Sequence, residues 1–106
     1  MPEWLCDTNV ISELMKRRPD AGVDRWARRL EEIRISVITL EEIRCGLSRM
    51  DLPRKAAWFD RMMRTRGVVI PVDRRVAGEA GWLRGTILQA GSTRSQADML
   101  IAATAR

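Results

Sequence analysis

The chain has 106 residues, 45% hydrophobic and 31% charged, with 19 Lys and Arg against 14 Asp and Glu for a formal net charge of +5. This balance fits one small globular domain at 1–106 and excludes a disordered chain. With no apolar run near the roughly 18 residues that span a bilayer, and no opening signal-peptide pattern, a cytoplasmic location is expected. Histidine is absent, which removes His-based acid–base catalysis, Ser-His-Asp and Cys-His nucleophile systems, and the commoner zinc sites.

Glu3–Cys6 reads as a short apolar strand, and Asp7-Thr8-Asn9 as the start of a helix on which Val10 and Leu14, and Ile11 and Met15, stand four apart. Pro19 breaks it. A second helix runs from about Asp20, with Val23, Trp26, Ala27 and Leu30 on one stripe. Ile33, Ile35 and Val37 alternate with Arg34 and Ser36, a strand pattern that runs into Thr39-Leu40-Glu41-Glu42 and a third helix to about Leu47. Pro53 fits the first turn of a fourth helix, with Ala56, Phe59, Met62 and Met63 inward and Gly67 at its close.

Val68–Val72 predicts a third strand, with Pro71 marking an exposed end. Asp73 opens a fifth helix on which Val76, Ala80, Leu83 and Ile87 repeat, and Gly91 ends it. Ser95–Ala105 reads as a final helix. The alternation of strands and helices is the order of an α/β layer fold with a mainly parallel sheet. The two cysteines, Cys6 and Cys45, lie in apolar segments without metal-ligand spacing and read as buried free thiols.

Three acids stand out by position: Asp7, Glu42 and Asp98, each at or near the start of a predicted helix. In open α/β sheets ligands bind at the carboxyl ends of the strands, where such acids can meet. Each also has a capping explanation. Asp7 fits an N-cap, and Thr39 with Glu42, like Ser95 with Asp98, has capping-box spacing. Convergent carboxylates repel unless a cation lies between them, and an all-oxygen set suits Mg²⁺ or Mn²⁺, which lowers the pKa of a bound water and offsets charge building on a phosphodiester. The basic excess, almost all arginine, fits a polyanionic partner or simply a solvated surface. Arg17-Arg18 and Arg28-Arg29 carry the same two readings. Trp26 and Phe59 sit on apolar helix faces and read as packing residues rather than base-stacking platforms.

Asp7-Thr8-Asn9-Val10-Ile11-Ser12-Glu13 after an apolar strand resembles the opening motif of PIN-domain toxins. Ser36-Val37-Ile38-Thr39-Leu40-Glu41-Glu42-Ile43-Arg44-Cys45-Gly46 resembles the second motif, an apolar strand followed by Thr and Glu-x-x-x-Gly. Ala97-Asp98-Met99-Leu100-Ile101-Ala102-Ala103-Thr104-Ala105 is similar to the third. The resemblance, closest to the VapC and FitB branch, implies a three-layer α/β/α fold. It also implies a Mg²⁺- or Mn²⁺-dependent endoribonuclease that acts as the toxin of a toxin–antitoxin pair, on an RNA substrate. Such toxins dimerise and are held inactive by a small antitoxin that also binds operator DNA.

Carried over residue by residue, the resemblance gives the ion to Asp7, Glu42 and Asp98. Gly46 selects Glu42 over Glu41, and Thr8 and Asn9 would orient the first carboxylate by hydrogen bonds. The family continues into a further strand and a segment with a fourth acid, whereas this sequence reaches Arg106 first. A C-terminally shortened PIN-like domain is therefore expected, with an exposed sheet edge and an apolar final helix, either covered by a second chain or left by shortening. Asp73 reads as an N-cap, outside the core acid set. Two rival functions remain. One is a catalytically inactive PIN remnant serving as an interaction or regulatory protein; the other is a basic nucleic-acid-binding module without chemistry.

Overall fold

Ile33–Ser36 (β1) lies between two parallel partners, and the rest of the fold is arranged about it. The computed structural model describes residues 5–92 and 95–105. Within them the elements follow as α1 (Thr8–Leu14), α2 (Ala21–Arg28), β1, α3 (Val37–Met50), α4 (Pro53–Arg66), β2 (Gly67–Ile70), α5 (Arg74–Gln89) and α6 (Gln96–Ala105). β2 pairs with β1 in parallel, Ile33 opposite Gly67 through Ser36 opposite Ile70. On the other side Leu5 bridges Arg34, also in parallel, and the Cys6 amide donates to the Arg34 carbonyl at 2.8 Å. That bridge stands where the first strand was expected; Glu3 and Trp4 lie outside the described residues.

The chain leaves β1 without a loop. Ser36, extended at ψ 149°, is the N-cap of α3, and its hydroxyl accepts from the Ile38 amide at 3.0 Å. The strand therefore ends one residue short of Val37, and the helix begins earlier than Thr39 suggests. The Thr39–Glu42 capping box does not form: Thr39 is fully buried in the first turn and Glu42 lies farther along the helix. α3 also runs past Leu47 to Met50, ending at Asp51 in the left-handed region (φ 49°). The junction from α4 to β2 is equally abrupt. A Cβ on Gly67 would meet the Cα and side chain of Met63 at 2.6 Å, so only glycine fits that passage.

Two apolar clusters hold the described residues together. The larger joins Cys6, Ile11, Met15, Ile33, Ile35, Ile43, Leu47, Phe59 and Met62, with Trp26, Leu30 and Trp58 packed against it. Phe59, Ile11, Ile33 and Ile35 are wholly removed from solvent. The smaller is formed by Val76 and Ala80 of α5 with Met99 and Ala103 of α6, flanked by Leu83 and Ile87. Cys6 is buried but Cys45 is exposed, contrary to expectation, and both are free. Ile43 and Leu47 set the inward stripe of α3, and Cys45 lies two residues off it, on the far face.

Two arginines tie remote helix ends to α4. Arg54 donates to the Met15 carbonyl at 3.1 Å, just past α1. Arg66 forks onto the Ala27 and Leu30 carbonyls at 2.9 and 2.8 Å, closing α2. Carbonyls at and just past a helix C-terminus are short of backbone partners, so each arginine adds a charged donor there, at Ala27 beside the Leu30 amide that already donates to it at 3.2 Å.

Candidate active site

The chain reaches Asp7 directly from the Leu5 bridge, and reaches Glu42 along the helix that leaves β1, so the parallel arrangement brings both acids to one end of the sheet. Asp98 arrives from α6. The three carboxylates, 35 to 91 residues apart in sequence, line one cavity of about 390 Å³ together with Thr8, Asn9, Ile101 and Ala102. No Lys or Arg is among these lining residues. In a chain of net charge +5 this is a local region of negative charge, suited to a cation.

Each acid is held differently. Asp7 is the N-cap of α1, and its Oδ1 accepts from the Val10 amide at 2.9 Å. Capping uses one oxygen, so it and a site role are compatible. Glu42 Oε1 accepts from the Thr8 hydroxyl at 2.9 Å. Thr8 thus steadies Glu42 rather than Asp7, because the Asp7 carboxylate is already turned to its own helix. Glu41 is exposed and not part of the cavity wall, so the helix separates the two neighbouring glutamates by face. The Ser95 hydroxyl accepts from the Asp98 amide at 3.0 Å, leaving the Asp98 side chain at the cavity.

Asp73 Oδ1 accepts from the Val76 amide at 2.9 Å, the N-cap expected of it. Ile101 and Ala102 were not singled out by sequence, although their places three and four residues beyond Asp98 put them on its helix face. Among the described residues no three of Asp, Glu and Cys stand close enough to form a ready-made ion cage. The donor set nevertheless fits a hard cation that keeps several waters: it is all oxygen, and each acid has an oxygen without a hydrogen bond among the described residues. The neighbouring Cys6 does not compete as a thiolate. Burial, with the Asp7 charge adding to it and Arg66 opposing, pushes its thiol up to about 11.

A parallel pair with helices packed about it, and acids gathered where the strands end, defines an α/β protein with a polar cleft at its sheet terminus. Residues 4–106 match the PIN domain, and the chain belongs to that family. Its relatives include the VapC ribonuclease Y4jK of Sinorhizobium fredii, 35% identical over 107 residues, which cover 93% of this chain and 76% of the relative. Toxin FitB of Neisseria gonorrhoeae is 32% identical over 110 residues, covering 96% and 79%.

Among solved structures, FitAcB from Neisseria gonorrhoeae superposes with a TM-score of 0.78 at 32% identity, over 95% of this chain and 78% of that one. DNA-bound VapBC from Salmonella typhimurium superposes at 0.82 over 99% and 80%, and at 24% identity shows the shared fold alone. The α/β architecture with a parallel sheet expected from the sequence is therefore the PIN-like fold. No helix among the described residues is long and apolar enough to cross a membrane.

Proposed function

We propose that this chain is a divalent-metal-dependent endoribonuclease, the toxin of a toxin–antitoxin pair. The single observation that carries the reading is the convergence of Asp7, Glu42 and Asp98 on one cavity without a cation of the protein's own. Family membership and the names of the relatives, a VapC ribonuclease and a toxin, support the reaction class. Asp7, Glu42 and Asp98 would hold Mg²⁺ or Mn²⁺. When bound, the ion supplies a water of lowered pKa and offsets the charge on the phosphodiester.

The chain's own residues perform the positioning. Asp7 is fixed by its cap to the Val10 amide, which leaves its second oxygen for the ion. The Thr8 hydroxyl holds Glu42 in one orientation, and Asn9 at the rim is the remaining polar side chain that can orient a carboxylate. Ile101 and Ala102 wall one side with apolar surface, while the acids themselves stay open to water. A cytoplasmic setting and a homodimer belong to the same reading, as does a cognate antitoxin, which the solved FitAcB and VapBC2 structures favour.

The test is cleavage of a mixed tRNA and structured-RNA pool with Mn²⁺ and with EDTA, beside an Asp7→Asn control. Metal-dependent cleavage lost in the control supports the reading; a folded chain that cleaves nothing refutes it. The inactive-remnant alternative draws on the absence of a ready-made ion cage among the described residues. It predicts negligible Mn²⁺ binding by calorimetry.

A further inference from the structure

Beside the acid cavity runs a second recess of about 210 Å³, in part apolar, between α1, the flank of α3 that carries Glu42, Gly46 and Met50, and the start of α4. Its floor is Met15, Leu47, Met50 and Leu52, with Ser12 and Lys55 at the edges. The two recesses share Thr8 and Glu42, so the groove adjoins the acids across that hydrogen-bonded pair. Along α3 it extends from Glu42 to Met50, about 12 Å at the helical rise. Met50 leaves 61% of its surface exposed there, and Lys55 has no hydrogen-bond or ion-pair partner among the described residues.

We propose that this groove seats the base of a nucleotide adjoining the scissile phosphate of single-stranded RNA, with Lys55 on the next phosphate. The inference rests on the ribonuclease reading of the acid cavity. The order along the groove matches a nucleotide strand: a cation site held by acids, then an apolar floor, then a free ammonium. A phosphate, a base and a second phosphate meet them in turn. Methionine thioethers are polarisable and adaptable, so the exposed Met50 can close on the flat face of any base, over a floor that includes the buried Met15. A peptide side chain could fill the same floor but brings no anion to Lys55.

Gly46 gives a direct test, because a Cβ built on it meets nothing within 4 Å and the position faces this groove. Gly46→Phe would fill the recess, whereas Gly46→Ala would scarcely enter it and tests whether a side chain at this helix position is tolerated. The probe is a labelled single-stranded RNA heptamer with non-cleavable phosphorothioate linkages, bound by the full chain with Ca²⁺ at the acids and followed by anisotropy, which asks nothing of cleavage. The expected result is roughly tenfold weaker binding for Gly46→Phe, the order of one base contact, with Gly46→Ala within about twofold of the parent. Lys55→Gln should reduce the slope of log K against log salt by about 0.7, the value of one phosphate on a single strand.

A base-free ribose-phosphate heptamer should bind Gly46→Phe and the parent alike. Parent-like RNA binding by a folded Gly46→Phe chain would overturn the base seat, as would equal loss of the base-free oligomer. No RNA binding by the parent overturns it too. If Gly46→Phe keeps RNA but no longer binds a co-expressed antitoxin, the groove is a protein interface and the proposal is wrong. Failure of the parent to cleave RNA, with the binding pattern intact, would strike the ribonuclease reading and leave the base seat standing.

Discussion

The Thr8–Glu42 hydrogen bond is the contact on which the cavity's geometry can be tested most directly. Thr8→Val removes the hydroxyl at nearly constant shape and leaves Glu42 Oε1 without its 2.9 Å donor. A hydrogen bond to a charged acceptor contributes about 1.5–3 kcal/mol net, which corresponds to roughly 10- to 100-fold in an equilibrium constant. The cavity is open to water, so a freed carboxylate is resolvated and the fold should lose less than about 1 kcal/mol. The cost should instead appear where orientation matters, as Mn²⁺ affinity reduced by about 10-fold or more, in the range for groups that steady a metal ligand. Calorimetric Mn²⁺ titration and urea unfolding measure the two quantities separately. Thr8→Ser restores the donor and should recover most of the affinity, which a purely structural effect on α1 would not do. If Thr8→Val binds Mn²⁺ as the parent does, Glu42 is not held for an ion and the argument fails.

Asp98→Asn should abolish cleavage while leaving the circular dichroism and melting curve near those of the parent, because the side chain is exposed and its helix start is held by Ser95. Arg66→Met should destabilise the fold by about 2 kcal/mol, measured by urea unfolding, since the Ala27 carbonyl in the last turn of α2 and the Leu30 carbonyl just past it lose a charged donor. Gly67→Ala should cost about 1–3 kcal/mol by the same measurement, because its methyl group would collide with the Met63 backbone. The Cys6 thiol lies above its ordinary 9.0 when folded, so the stability it contributes is complete below about 9 and is lost as pH rises toward 11. Cys6→Ala should flatten that alkaline slope, and an unchanged slope would assign it to other groups.

Much of this structure is legible in the sequence because its signals are local. Asp20, Asp73 and Pro53 mark helix starts where the caps and first turn are found, and the alternation of Ile33 and Ile35 gives β1 its buried face. The start of α3 lies earlier than the Thr39–Glu42 spacing suggests because Ser36, which reads as a strand residue, also carries a hydroxyl able to cap. Ser36 prevails because it stands where the strand's extended backbone ends. Cys45 was misjudged because hydrophobicity of a segment does not say which face a residue takes. The pairing of Thr8 with Glu42, and the reach of Arg54 and Arg66 onto other helices, depend on tertiary proximity over 34 to 39 residues. No local pattern encodes those distances. The gathering of the acids was legible only by joining motif order to the rule for parallel sheets.

The separation of the two apolar clusters bears on how the cavity survives thermal opening. Asp7 and Glu42 stand on helices anchored in the larger cluster, while Asp98 rides on the α5–α6 hairpin with its own small one. Cooperative units of unequal size open at unequal free energies, and the smaller opens first. Amide protons of α6 should therefore exchange with deuterium well before those of β1. The third acid would leave and return while the other two stay in place, so the complete triad would be intermittent, present only in the fraction of time the hairpin is shut. An ion or a strand of RNA bound across all three helices would slow α6 exchange far more than that of β1, reading out occupancy from a helix that carries one of the three acids.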